Sequence, residues 1–315
     1  MRHLAILLAV GALVAAAAVG CGTTTTACGP TTCDGCCDST GVCRTGDTDL
    51  ACGVAGVRCN TCSNIQSCRA RQCLLLEVDG GNEDAGTDAG TEDAGTPICG
   101  RTAVACSDQA ILQLDLKKAP APGLITNVAA DGGFRSIVDA VGGGSPPTDS
   151  YVYAKFTSTG LQKVAIGDET ALDTFDWDIA FRRFVIRLNG GDSGPACTAA
   201  APLPPGTLFD TITTTPAIVS YPVDDFLTAS PTCGFVADNS GLPSSPATAL
   251  AEYYAYTNCV SMTGRVYIVQ TRLGRHLKLE ITGYYQTEPA QTACNGGTAP
   301  GVPGGTVRLR WAFLD

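Results

Sequence analysis

The sequence predicts an all-β fold for the larger, C-terminal part of the chain, and three observations carry that reading. Several segments alternate apolar and polar residues with the period of a half-buried strand. Two pairs of such segments are separated by short turns, the pattern of a hairpin. Proline- and glycine-rich runs punctuate them, as long surface loops do.

In chain order, Ile111–Leu116 alternates and is predicted as a strand. Phe134–Val141 has a short helical pattern, followed by the loop Gly142–Pro147. Tyr151–Phe156 alternates, turns at Ser158, Thr159 and Gly160, and returns as Leu161–Ile166. In Phe175–Gly194, Trp177, Ile179 and Phe181 alternate with Asp178, Ala180 and Arg182. The alternation slips at Arg182 and Arg183 and resumes with Phe184, Ile186 and Leu188, which predicts a β-bulge. Asn189, Gly190 and Gly191 tolerate positive φ and predict a tight turn. Pro202–Pro205 reads as a surface loop and Ala247–Tyr256 as a short helix. Arg265–Arg272, a turn at Leu273 and Gly274, and Arg275–Thr282 form the clearest hairpin, with Leu277, Leu279 and Ile281 on its inner face. Val307–Phe313 closes the chain as a further strand.

Upstream, residues 1–20 read as a lipoprotein signal peptide: Arg2, then an almost wholly apolar, alanine-rich run from Leu4 to Val19. It ends Ala-Val-Gly ahead of Cys21, a small-residue ending that predicts lipidation of Cys21, with 21–27 as a tether. Acyl chains there would anchor the protein to the membrane without spanning it. By resemblance to the sorting of bacterial lipoproteins, Gly22 rather than aspartate after the cysteine implies the outer membrane, at the cell surface or on the periplasmic face.

Of the 17 cysteines, Cys21 leaves ten from Cys28 to Cys73 and six from Cys99 to Cys294. Both counts are even, so each group can pair internally. Segment 28–76 has few large apolar side chains and needs crosslinks in place of a core. Its Cys-x-x-Cys pairs, Cys33/Cys36 and Cys59/Cys62, also have zinc-ligand spacing, but export and cysteine density favour disulfides. Segment 77–97 repeats Asp-Ala-Gly, holds seven acids and no base, and reads as a disordered acidic linker. It supplies seven of the formal ten net negative charges, so the acidity says little about a ligand. No basic stripe is present to hold nucleic acid. Residues 98–315 form the β domain.

Gly191–Pro195, reading Gly-Asp-Ser-Gly-Pro, is similar to a serine-protease nucleophile loop around Ser193. The chain offers only His3, in the leader, and His276, after the serine, so the base that such a serine needs is missing. The protein is therefore expected not to be an enzyme, and no catalytic residue or metal site is assigned.

Four pieces in order resemble the HmuY-like haem-binding outer-membrane lipoproteins across residues 149–313: Tyr151–Phe156; Phe175–Gly194; Tyr253–Tyr256 with Val266–Arg272; and Gly274–Ile281 running to Tyr284 and Tyr285. The resemblance implies an all-β, HmuY-like domain that clasps a flat ligand, often haem, and hands it to a TonB-dependent receptor. The family's histidine pair is absent. The candidate iron ligands are Met262, in the loop region after Tyr256, and His276, which shares a hairpin face with Lys278 and Glu280 and is expected to face solvent. Tyrosines 151, 153, 253, 254, 256, 267, 284 and 285 suit a flat-ligand pocket or sheet packing equally. Asp178, Arg182, Arg183 and Arg187 suit propionate contacts or a structural ion-pair network. The function read from the sequence is non-catalytic small-ligand binding, with haem foremost; the alternative is a scaffold for adhesion or protein interaction.

Overall fold

The computed structural model describes residues 28–62, 66–69, 71–75, 98–130, 132–218, 220–242 and 244–314. The leader at 1–20, the tether 21–27 with Cys21, and the linker at 77–97 lie outside the described residues.

Crosslinks replace a core in the cysteine-rich segment. Cys28–Cys37, Cys33–Cys43, Cys36–Cys59, Cys52–Cys68 and Cys62–Cys73 are disulfides, and Cys33, Cys36, Cys52 and Cys62 are buried. The sulfurs with zinc-like spacing are thereby committed to bridges. Three further disulfides, Cys99–Cys197, Cys106–Cys233 and Cys259–Cys294, join the second group. Each of these bridges stays inside its own group, as the even counts predict.

The rest of the fold is all-β with few short helices. Its strands are β1 (Ile125–Ala130), β2 (Gly133–Asp139), β3 (Val152–Thr157), β4 (Gly160–Val164), β5 (Ile179–Arg182), β6 (Val185–Leu188) and β7 (Ala199–Pro202). They continue with β8 (Tyr254–Tyr256), β9 (Val260–Met262), β10 (Val266–Gln270), β11 (His276–Tyr285) and β12 (Gly304–Phe313). The helices are α1 (Ser107–Gln113), α2 (Asp168–Ala171) and α3 (Glu288–Asn295). No helix among the described residues is long and apolar enough to cross a membrane.

Antiparallel pairing gives a four-stranded sheet, β4-β3-β5-β6, and a six-stranded sheet, β7-β10-β11-β12-β2-β1; β8 and β9 form a separate hairpin. Between the sheets, Val152, Ala154, Phe156, Ile179, Phe181 and Ile186 meet Leu277, Leu279, Ile281, Val307, Leu309 and Trp311. The inner face predicted for the β10–β11 hairpin is therefore the observed one. Tyr151, Tyr153, Trp177 and Ala180 turn to the other side of the four-stranded sheet, beneath α1. A loop carrying Leu203, Phe209 and Ile212 covers the outer face of the six-stranded sheet.

On one side the two sheets are joined through Asn127 of β1. Its amide accepts from Leu161 N at 3.0 Å and donates to Leu161 O at 3.1 Å, so a side chain substitutes for a backbone ladder between β1 and β4. Ser136 Oγ donates to Asn127 Oδ1 and accepts from Trp311 Nε1, carrying the chain of bonds into the core. Gly160 fits this close approach: φ is +130° and an added Cβ would lie 2.9 Å from the Asn127 side chain.

The structure corrects several expectations. Ile111–Leu116 does not form a strand; α1 begins beside the bridged Cys106, and Ala110 and Leu114, four apart, bury one helical face. Phe134–Val141 is strand β2 for most of its length, because Ser136 points inward to receive Trp311 and hides the alternation. Ala247–Tyr256 forms a single 3₁₀ turn at Ala251–Tyr253 and then β8, since Ala249 N and Tyr256 N donate outside the segment to Asp224 Oδ1 and Ser240 O. The slip at Arg182–Arg183 is no bulge: Arg182 pairs with Val185, so Arg183 and Phe184 make a two-residue hairpin turn with Arg183 at φ +52°. Trp177 lies before β5 begins, on the face opposite Ile179 and Phe181. Pro202–Pro205 is only partly a surface loop, as Pro202 ends β7 and Leu203 is buried.

Candidate functional site

The β5–β6 hairpin turn, hairpin β8–β9 and the end of β11 meet at one end of the sandwich, where they assemble a half-buried aromatic wall. Register places Tyr254 opposite Met262 and Tyr256 opposite Val260, so all four side chains share one face of the small hairpin. The Phe184 ring lies 6.0 Å from Tyr254, and Tyr253 Oη donates to Phe184 O at 2.6 Å. Phe184, Tyr256 and Met262 are partly exposed and pack against the core cluster to which the buried Tyr253 and Tyr254 belong. Tyr284 closes the group beside Tyr285, their ring centroids 5.1 Å apart.

Helix α3 fixes the height of Met262. Cys259–Cys294 ties the β8–β9 turn to it, and Met262 N donates to Asn295 Oδ1 at 2.9 Å. Gln291 donates to Val260 O and to Asn295 Oδ1, while its Oε1 accepts from Tyr284 N. Burial pushes the hydroxyls of Tyr253, Tyr254 and Tyr284 above their ordinary pKa; for Tyr284 the charge of Arg183 works against that rise. These groups are neutral at neutral pH, and the wall presents ring faces and one thioether.

The second candidate ligand lies elsewhere. His276 begins β11 on the outer face of the six-stranded sheet, its ring 5.6 Å from Tyr221 and its Nε2 3.2 Å from Gln270 Nε2. That face is not bare solvent. Lys278 on it is buried, with Nζ donating to Phe209 O and Ile212 O, because the 203–212 segment folds across the sheet. Met262 and His276 are thus on different sides of the molecule and cannot grip one iron together. Met262 alone is placed where an apolar flat ligand could meet it.

Nor do the eight tyrosines share a pocket. Tyr151 and Tyr153 lie on the α1 side, whereas Tyr253, Tyr254, Tyr267, Tyr284 and Tyr285 are between the sheets or at their end. The charged residues also divide. Arg182 and Arg187 are buried on the α1 side, over the Tyr151 ring at 4.2 Å and 4.8 Å. Arg182 Nη1 lies 3.7 Å from Asp168 Oδ2. Arg187 donates to Tyr153 Oη, Ser193 Oγ and Ser193 O. Asp178 Oδ2 accepts from Phe156 N at 3.0 Å. Only Arg183 is half-exposed at the aromatic end.

Ser193 is fully buried, with Oγ donating to Asp224 Oδ2 at 2.5 Å. Asp224 also accepts from Leu188 N and Ala249 N, so Ser193 belongs to a structural hub, with no imidazole bonded to it among the described residues. Desolvation pushes the Asp224 carboxyl up to about 6, against the hydrogen bonds and Arg187, which favour its anion. Sequence alone gave no signal for Asp168 or Asp224, because their partners are distant in the chain.

A cavity of about 230 Å³ lies near the 142–149 loop, lined in part by Asp139, Gly142, Gly143, Asp149 and Ser150. It is smaller than the roughly 300–1,000 Å³ of typical small-molecule pockets.

Among solved structures, the chain is similar to a Bacteroides fragilis NCTC 9343 protein described as a lipoprotein, at 12% identity and TM-score 0.37, covering 62% of this chain and 97% of that one. A Bacteroides vulgatus ATCC 8482 protein described as HmuY-like and heme-binding shares 15% identity at TM-score 0.36, over 60% of this chain and 97% of that one. The apo HmuY analog of Tannerella forsythia shares 16% identity at TM-score 0.32, over 64% and 99%. No curated protein matches the chain. Residues 148–295, which carry the β5–β6 turn, the β8–β9 hairpin and α3, match the family model described as HmuY protein.

Proposed function

We propose that the protein is a non-catalytic, extracytoplasmic lipoprotein that captures a flat apolar ligand, with haem as the ligand to test first. The observation that carries this reading is the half-buried wall of Phe184, Tyr254, Tyr256 and Met262 inside the family-matching segment. Ring faces suit a planar ligand, and a thioether can serve iron as an axial ligand. In this reading Cys21 carries the lipid, 28–76 is a disulfide module, 77–97 is a spacer, and 98–315 is the ligand-binding domain. An outer-membrane, TonB-dependent receptor would take the ligand onward.

The test is a haemin titration of the secreted chain, made in an oxidising compartment and followed in the Soret region. A saturable, shifted band weakened by Met262→Ala supports capture. The spectrum of free haemin at stoichiometric protein refutes it. The second reading, a scaffold for adhesion or protein contacts, is favoured by the small volume of the cavity near 142–149 and by the missing histidine pair.

A further inference from the structure

We propose that Arg183 reads an acidic group on the ligand, which makes the ligand class a planar aromatic acid and not merely a flat hydrophobe. The inference rests on the proposed binding at the aromatic end and adds a specificity-determining residue to it. Three observations carry it.

Arg183 and Arg182 are neighbours in sequence with opposite fates. Arg182 is buried on the α1 side, where it has Asp168 and backbone carbonyls as partners. Arg183 sits at the tip of the β5–β6 hairpin at φ +52°, a region where arginine is uncommon and glycine or asparagine is the ordinary choice. Keeping an arginine there carries a backbone penalty with no stabilising ion pair in return. Among the described residues, no carboxylate lies within ion-pair distance of its guanidinium; its one hydrogen bond runs from Nη1 to Gly144 O at 3.1 Å.

The side chain is half-buried and leaves the same two-residue turn as Phe184 of the wall. Phe184, its immediate neighbour, meets Tyr254, and the Arg183 charge is felt at the Tyr284 hydroxyl. A ligand lying on Phe184, Tyr254 and Met262 would therefore bring its edge toward this guanidinium. The planar fork left free by a single hydrogen bond matches a carboxylate, and partial burial strengthens that bond relative to open water. The Gly144 carbonyl limits the swing of the side chain, so less rotamer freedom is lost on binding.

The test uses the secreted chain with ferric protoporphyrin IX and with its dimethyl ester, whose two acids are masked; affinity is read by quenching of tryptophan fluorescence. Wild type is expected to bind the diacid about 10-fold or more tightly than the diester, the difference that one charge-assisted bond gives. Arg183→Gln is expected to bind both forms equally, at the diester affinity. Arg183→Gly accommodates φ +52° better than arginine, so it removes the guanidinium while keeping the hairpin folded, and should behave the same. Equal affinities in wild type, or a preference for the diacid that survives both substitutions, overturn the role of Arg183 while leaving flat-ligand capture standing. Binding of neither porphyrin overturns both.

Discussion

Removing the Asp224 carboxylate should destabilise the protein strongly, and more so in mild acid than at neutral pH. In the folded chain it accepts from Leu188 N at 2.9 Å, Ala249 N at 2.8 Å and Ser193 Oγ at 2.5 Å, and it faces the buried Arg187. Asp224→Ala leaves these donors without a partner and a buried cation less well balanced, a loss of about 3–5 kcal/mol. The pH dependence follows from the raised pKa. With a folded value of about 6 against an ordinary 3.8, the native state binds the proton more tightly than the unfolded chain does. The resulting stability is fully present below about 3.8 and is lost as pH rises through 6. Between pH 7.5 and pH 5 wild type thus gains about 1.4 kcal/mol from this group, a gain the alanine variant lacks. Urea unfolding of both proteins, disulfides intact, at the two pH values reads the difference. A penalty that shrinks on acidification would mean that Asp224 is held as an anion by its donors, and would refute the reasoning.

Three further outcomes are expected. Asn127→Ala should cost about 1–3 kcal/mol and speed hydrogen exchange at the Leu161 amide, because both bonds that link β1 to β4 disappear; unchanged exchange there would show that the junction holds without them. Peptide mapping under non-reducing conditions should find no bridge between the Cys28–Cys73 and Cys99–Cys294 groups, and one mixed bridge would overturn the pairing described. Cys21→Ser should abolish incorporation of labelled fatty acid and release the protein from membranes; retention with undiminished label would exclude Cys21 as the lipid carrier.

The strands that alternate strictly were legible in the sequence. Leu277, Leu279 and Ile281 face the core because every second position does, and the turn at Gly274 follows from its positive φ. Legibility failed where a polar residue points inward. Ser136 broke the pattern of β2, and its reason, the Trp311 N–H, comes from a strand at the far end of the chain. It failed again at Arg183 and Phe184, a hairpin turn without the glycine or asparagine that marks such turns. The site shows the same division. Met262 was noticeable as the single methionine beyond Met1, but its aromatic surroundings pair Phe184 with Tyr254, residues that only folding brings together. Local pattern could not separate Arg182 from Arg183, because a two-residue turn and not composition sends one inward and leaves the other half-exposed at the hairpin tip.

The measurement closest to the central claim is methyl NMR of the secreted chain labelled at methionine. Met262 is the only methionine besides Met1, so in the chain made without residues 1–20 its ε-methyl gives one resonance. Capture of haem at the Phe184–Tyr254–Met262 wall predicts that stoichiometric haemin shifts that resonance far upfield or broadens it beyond detection. A resonance that stays in place while haemin is bound elsewhere, or not at all, would contradict the account.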